Sequence, residues 1–310
     1  MTSQARKVLG EMQVRKSSRE KREFRAWLSG ELKRLGWTVT EERGFFAGHN
    51  VIAGDPERAE VLFTAHYDTQ AVLPVPNFIT PRNFPIYILY QLLLCLPLLL
   101  AVFAVGVVTA VLDAPMGVGL ALGYALCFFF LWWLFFGKAN RHTANDNTSG
   151  VITLLEVAAA LWLEDREGVC LVFFDNEERG MLGSSHFAGK HKAVRQNALV
   201  LNFDCVSDGD FIQFFPTKAL KQDAAALQRL EAAFTGRGDK QVEVVRGTGF
   251  YPSDNACFKR ACGVCALKKG RFGYYMDRIH TSRDTVFQEE NIALLRDGCL
   301  RLAQKKGEER

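Results

Sequence analysis

From Ile86 to Leu112 the chain reads "IYILYQLLLCLPLLLAVFAVGVVTAVL" without one charged residue, and after "DAPM" a second uncharged run, "GVGLALGYALCFFFLWWLFF", extends from Gly117 to Phe136. At a rise of about 1.5 Å per residue, each run as a helix reaches or exceeds the ~30 Å hydrocarbon core of a bilayer. A buried helical hairpin in a soluble core is the competing arrangement, but soluble domains seldom hold two uncharged stretches of this length. Two membrane-spanning helices are therefore expected, over 86–112 and 117–136, joined by a short turn. Pro97 lies inside the first run, where a kink rather than a stop is expected. The N-terminal segment "MTSQARKVLGEMQVRKSSREKREFR" is too charged for a signal peptide, so the spans are expected to direct insertion themselves.

Charge sets the expected orientation. Arg82, Lys138 and Arg141 flank the hairpin, whereas the "DAPM" turn carries no positive charge. Short segments rich in Lys and Arg stay in the cytoplasm, which places the bulk of the protein on the cytoplasmic side of the cell membrane. The formal net charge of +4 over 310 residues, with no basic motif interleaved with aromatics, excludes a nucleic-acid reading. Eight cysteines show no disulfide-scaffold spacing, and Cys95 and Cys127 fall inside the proposed spans. Unpaired cysteines such as Cys170 and Cys205 fit a reducing compartment. The lone CxxC, Cys262 to Cys265, has no second half for a zinc site and reads as structural, on a helix running into a strand.

Outside the hairpin the pattern is that of an α/β domain. The first ~35 residues are basic and helical in spacing, and suit either a solvated face or contact with an anionic membrane surface. Short strand candidates follow: "GWTVTE", "NVIAG" and "EVLFTA". "VITLLEVAAALWL", Val151 to Leu163, reads as an amphipathic helix, and "VCLVFF" and "ALVLNF" as buried strands. Strands alternating with helices imply a three-layer α/β/α domain, interrupted by the hairpin. The expected organisation is 1–73 and 142–310 as one split domain, with 74–141 inserted.

Chemistry-bearing residues cluster at the ends of these strands. "VLFTA" leads into His66 and Asp68, "VCLVFF" into the adjacent pair Glu177 and Glu178, and "ALVLNF" ends in Asp204. Ligands of open α/β sheets sit outside the carboxyl ends of the strands, so these side chains can converge. Asp146 precedes the Val151 helix, and "RIHTSRDT" supplies His280. Imidazole nitrogens with carboxylate oxygens form the donor set of catalytic zinc. Two like charges side by side, as at Glu177 and Glu178, are costly unless a cation offsets them.

The motifs "AHYDT", "NDNTSG", "NEERGMLGS", "LNFD" and "IHTSRDT" together resemble metallopeptidase family 28, the di-zinc aminopeptidases with the zinc-dependent exopeptidase fold. The resemblance runs from about residue 20 to about residue 300, apart from the hairpin. It implies that Asp146 bridges two metal ions, that His66 and Asp204 complete one site, and that Glu178 and His280 complete the other. Glu177 would be the general base, and Asp68 the carboxylate behind His66 that fixes its tautomer. Asp284 is expected either to support the His280 loop or to act as a simple turn or cap. Tyr251, Tyr274 and Tyr275 are candidates for packing or for oxyanion stabilisation.

"SDN" at Ser253 to Asn255 departs from the family's "SDH", which bears on substrate contacts and leaves the ligand set intact. The expected function is a membrane-anchored di-zinc hydrolase of amide bonds, foremost an aminopeptidase acting on peptides. N-acyl amino acids, including lipid-like ones that reach the site from the bilayer, are the alternative substrates, and cyclisation of N-terminal glutamine is a weaker one. Manganese or cobalt suits an oxygen-rich site as well as zinc does. The pattern leaves the oligomeric state open.

Overall fold

Val61–His66 is buried on both faces, as a strand must be when helices cover both sides of a parallel sheet. In the computed structural model, which describes residues 1–73 and 75–304, this strand is β3. It follows α1 (Ser3–Glu11), α2 (Ser18–Arg34), β1 (Val39–Gly44) and β2 (Gly48–Ala53). Next come α3 (Phe84–Val111), α4 (Met116–Phe136), α5 (Thr148–Ala160), β4 (Val169–Phe174), α6 (Leu182–Lys190), α7 (Lys192–Asn197) and β5 (Leu199–Phe203). The chain continues through β6 (Phe211–Pro216), α8 (Lys218–Lys221), α9 (Ala224–Ala233), β7 (Gln241–Val244), β8 (Ala261–Gly270), β9 (Gly273–Tyr275) and α10 (Glu289–Ala303).

The strands form one mixed sheet in the order β1-β2-β4-β3-β5-β8-β6-β7, with β9 on β8. Its centre, β4-β3-β5-β8, is parallel throughout, so the carboxyl ends of these strands share one edge. Side chains alternate between two cores. Phe63, Leu171 and Leu201 pack beneath α5, α10 and the N-terminal helices, while Leu62, Cys170 and Val200 face Phe187 of α6 and Val194 of α7. The three-layer expectation is met.

Three local expectations need correction. Cys262 and Cys265 both lie within β8, preceded by one short 3-10 turn, Asp254–Cys257, so the CxxC is strand throughout; like the other cysteines they are free. Cys170, expected with Cys205 near the proposed site, belongs to the α6-facing core, away from the edge where the ligand candidates gather. The basic N-terminal region is part of the body: Phe24, Leu28 and Leu32 of α2 enter the main core, and its buried Lys21 pairs with the buried Asp175 carboxylate. Ser17 and Glu20 form a reciprocal capping box that starts this helix.

The hairpin is inserted between β3 and α5, as two helices long and apolar enough to cross a membrane. No residue of α3 is buried, and only Gly123 of α4 is. Small residues let the two helices approach: a Cβ at Gly119 would meet the Thr109 hydroxyl at 2.7 Å. The Thr109 hydroxyl itself donates to the Val105 carbonyl, which satisfies it on that apolar surface. Trp132, Trp133, Phe135 and Phe136 cluster at the end of α4, where interfacial aromatics are enriched.

Candidate metal centre and active site

Each chemistry-bearing residue occupies a place its local structure makes necessary. His66 is the last residue of β3, Glu177 and Glu178 follow β4 after a short turn, and Asp204 directly follows β5. Asp146 precedes Asn147, the N-cap of α5, whose side chain accepts from the Gly150 amide and donates to the Phe203 carbonyl. That double bond ties the start of α5 to the end of β5. Gly150 is required there, because a Cβ would lie 2.2 Å from the Phe203 carbonyl oxygen. Asn176, Cys205 and His280 adopt left-handed backbone at φ 55°, 59° and 59°, an uncommon conformation for residues with side chains that collects at functional sites.

The five ligand candidates converge around Asp146. Its Oδ1 lies 3.3 Å from His66 Nε2, and its Oδ2 lies 2.8 Å from His280 Nε2. Asp204 Oδ1 is 3.6 Å from His66 Nε2, and Glu178 Oε2 is 3.3 Å from His280 Nε2. Two donor groups result, His66/Asp146/Asp204 and Asp146/Glu178/His280, each with its donor atoms within 4.8 Å of one another. Glu177 lines the same cavity and forms a further group with His66 and Glu178.

Two carboxylates outside this set hold it in place. Asp68 Oδ1 stands 3.4 Å from His66 Nδ1, while the same carboxylate accepts from the Glu177 and Glu178 amides at 3.0 and 3.3 Å. One side chain thus lies against the imidazole and fastens the glutamate loop. Asp284 accepts from the Asn145 and Asp146 amides at 2.8 and 2.9 Å. Its carboxylate thus supports the Asp146 loop, rather than the His280 loop or a simple turn or cap, the two places expected for it. Burial, with Asp146 adding to it, pushes the Asp284 carboxyl up to about 8.

Of Tyr251, Tyr274 and Tyr275, Tyr251 lines the cavity, and its hydroxyl donates to the Asp204 carbonyl at 3.1 Å, so it braces the end of β5. Tyr274 packs on Phe211 and Tyr275 on Phe78, which leaves both in packing roles.

The electrostatics are those of a crowded anionic pocket. Burial alone would lower the pKa of both histidines, but Asp146 and Asp204 around His66, and Glu178 and Asp146 around His280, hold both well above the ordinary value. Burial raises Glu177 well above the carboxylate range, against the pull of His66. Glu178 is raised by burial as well, and its Oε1 has no hydrogen-bond partner.

Sequence reasoning missed three charged residues here. Asp254 is completely buried with neither oxygen hydrogen-bonded, and burial, opposed by His66, pushes it up to about 7. Arg15 is completely buried, donates to the Thr148 hydroxyl at 3.1 Å, and is brought down to about 10 by burial although Asp68 and Asp146 oppose the shift. Lys21 holds Asp175 and the Asn176 side chain, immediately before Glu177. The "SD" of "SDN" was the one available signal, since Asn255 beside it also leaves its Oδ1 unpartnered.

Solved structures share this architecture. A Zn-dependent exopeptidase from Parabacteroides distasonis superposes with a TM-score of 0.62 at 17% identity, over 96% of each chain. A glutaminyl cyclase from Porphyromonas gingivalis gives 0.59 at 18% identity, again over 96% of each chain. The LapA aminopeptidase of Legionella pneumophila gives 0.56 at 13% identity, over 96% of this chain and 70% of the other. No curated protein matches the sequence significantly. Residues 133–299, more than half of the chain and including four of the five ligand candidates, match Peptidase family M28: the chain belongs to that family and is a metallopeptidase.

Proposed function

We propose that the protein is a membrane-anchored di-zinc exopeptidase that releases N-terminal residues from peptides. The observation that carries this reading is the split of the Asp146 carboxylate between His66 and His280, each side completed by one further carboxylate. The donor set fits metal ions. Asp146, Glu177, Glu178 and Asp204 crowd one cavity in which only two imidazoles supply positive charge, and Glu178 Oε1 points at no protein donor. Cations would take over the charge that the imidazolium protons carry, freeing the nitrogens as ligands.

His66, Asp146 and Asp204 would hold one ion, and Asp146, Glu178 and His280 the other; manganese or cobalt suits the same donors. Zinc bound here would polarise a scissile carbonyl and acidify water. Glu177, left outside both triplets, takes the proton of the attacking water and delivers it to the leaving amine. Asp68 orients His66 and pins the Glu177 and Glu178 amides. Asp68→Ala is expected to cost about 10–100-fold in kcat/KM with the fold intact. Unchanged kcat/KM at saturating zinc would show that Asp68 plays no positioning part.

Hydrolysis of aminoacyl anilides by the purified protein in detergent tests the reaction, alongside N-acyl amino acids and N-terminal glutamine peptides. Zinc-dependent release of the N-terminal residue is the expected result. Exclusive cleavage of N-acyl amino acids, or exclusive cyclisation of glutamine, would replace the reading by the corresponding alternative.

The hairpin is read as an inserted unit over 74–141 with the catalytic body on the cytoplasmic side, supported by Arg82, Lys138 and Arg141 at its base. A cysteine introduced at Ala114 should react with a membrane-impermeant reagent in intact cells, and one at Lys138 should not. The opposite labelling would reverse the orientation.

A further inference from the structure

The first apolar helix does more than anchor. Tyr87 and Gln91, four residues apart and therefore on one face of α3, line the cavity that contains the His66, Asp146 and His280 cluster, together with Ile79 and Phe250. These turns are fixed to the catalytic body. Within the inserted segment the Tyr90 hydroxyl donates to the Pro76 carbonyl and its ring lies 5.6 Å from Phe78; Phe78 in turn lies 5.3 Å from Tyr275 of the body, and Phe84 meets Phe250 edge-on at 6.3 Å. On the opposite side the base of α4 touches the glutamate loop: Arg179 lies over the Phe136 ring at 5.3 Å, and Lys16 Nζ donates to the Phe135 carbonyl at 2.8 Å.

Length fixes the depth of this wall. α4, with 21 residues, rises about 30 Å, one hydrocarbon thickness, and the antiparallel α3, with 28, is longer by about two turns, so the bilayer surface falls next to Gln91 and the span of α3 is shorter than the expected 86–112. Basic Lys16 and Arg179 at the other helix end mark the same level, as cations beside lipid headgroups do. The cavity, about 250 Å³, holds little more than one residue, so most of any substrate lies outside it. Its rim is apolar: Phe84 and Phe250 remain 56% and 52% exposed.

We propose that the substrate is an amphiphilic amide whose apolar chain stays in the bilayer beside α3 while its scissile bond enters the cavity, with Tyr87 and Gln91 as specificity-determining residues. The proposal rests on the amide-hydrolase reading and on the hairpin spanning the membrane. Hydrolysis breaks the carbonyl C–N bond, puts the water oxygen on the carbonyl carbon and its protons on the two products, and so releases an amino acid and an apolar amine.

The test compares leucyl ethylamide with leucyl decylamide, which share one scissile bond, using zinc-loaded full-length protein in phosphatidylcholine–phosphatidylglycerol vesicles. Burial of as few as two methylenes is worth about tenfold, so kcat/KM for the decyl compound should exceed that of the ethyl compound by about tenfold or more. Partitioning of the probe into lipid is the same for every variant, so a smaller ratio in Tyr87→Ala assigns the preference to the wall. A benzophenone amino acid placed at position 87 in metal-stripped protein supplies a readout independent of turnover: it should cross-link the decyl amide and not the ethyl amide. Equal cross-linking of both amides, or a ratio unchanged in Tyr87→Ala, overturns the proposal while leaving the hydrolase reading intact. Selective cross-linking without hydrolysis of either amide supports the wall and overturns the peptidase reading instead.

Discussion

Glu177→Gln is expected to lower kcat by about 10²–10⁴-fold, the usual worth of a positioned general base, while the protein keeps two metal ions per chain. Glutamine preserves the size of the side chain and removes only its capacity to take a proton. Glu178→Gln should do something different, since Glu178 Oε2 stands 3.3 Å from His280 Nε2 within the second donor group. Loss of one ion at equal total zinc is the expected signature. Elemental analysis together with steady-state kinetics separates the two glutamates, and the reverse pattern would exchange their roles.

The largest expected loss of stability comes from Asp175→Ala. Asp175 is buried, accepts from the His49 amide at 3.0 Å and from the Asn176 amide at 2.8 Å, and pairs with Lys21, which is itself buried. Removing it leaves an ammonium with the Asn176 side chain as its remaining neutral partner. Deleting one member of such a pair costs about 3–5 kcal/mol. For a body of this size that is a fall in Tm on the order of 10 °C, measurable by thermal unfolding in detergent. A fall of only a degree or two would mean that water reaches the ammonium. Because Asn176 precedes Glu177, the variant should also lose activity below its unfolding temperature.

How much of the site can be read along the chain depends on whether a residue's role leaves a local mark. His66, Glu177, Glu178 and Asp204 each follow a buried apolar run, and a parallel strand ends where polarity begins, so their positions could be inferred one by one. Asp284 could be named but not placed: its carboxylate reaches the Asp146 loop across 138 residues. Arg15 and Lys21 sit in a charged run indistinguishable from a solvated helix face, and only the packing of α2 over the strand ends takes them out of water. The CxxC failed for a related reason, because a small-residue run such as "ACGVC" suits helix and strand alike until neighbouring strands select the extended form.

By itself the sequence determined the features that depend on neighbours a few residues away: two apolar helices, the alternation of strand and helix, and the inventory of possible metal donors. Tertiary structure alone decided that the two oxygens of Asp146 face different histidines, that Asp68 lies beside an imidazole while holding a glutamate loop, and that Tyr87 and Gln91 of the first apolar helix line the cavity of the donor cluster. The physical reason is the range of the interactions. Hydrophobic periodicity and capping act within a few turns of chain and leave their pattern in the residues. Convergence at a sheet edge instead follows from strand order and from where an inserted hairpin leaves the body, which separations of a hundred residues or more do not encode locally.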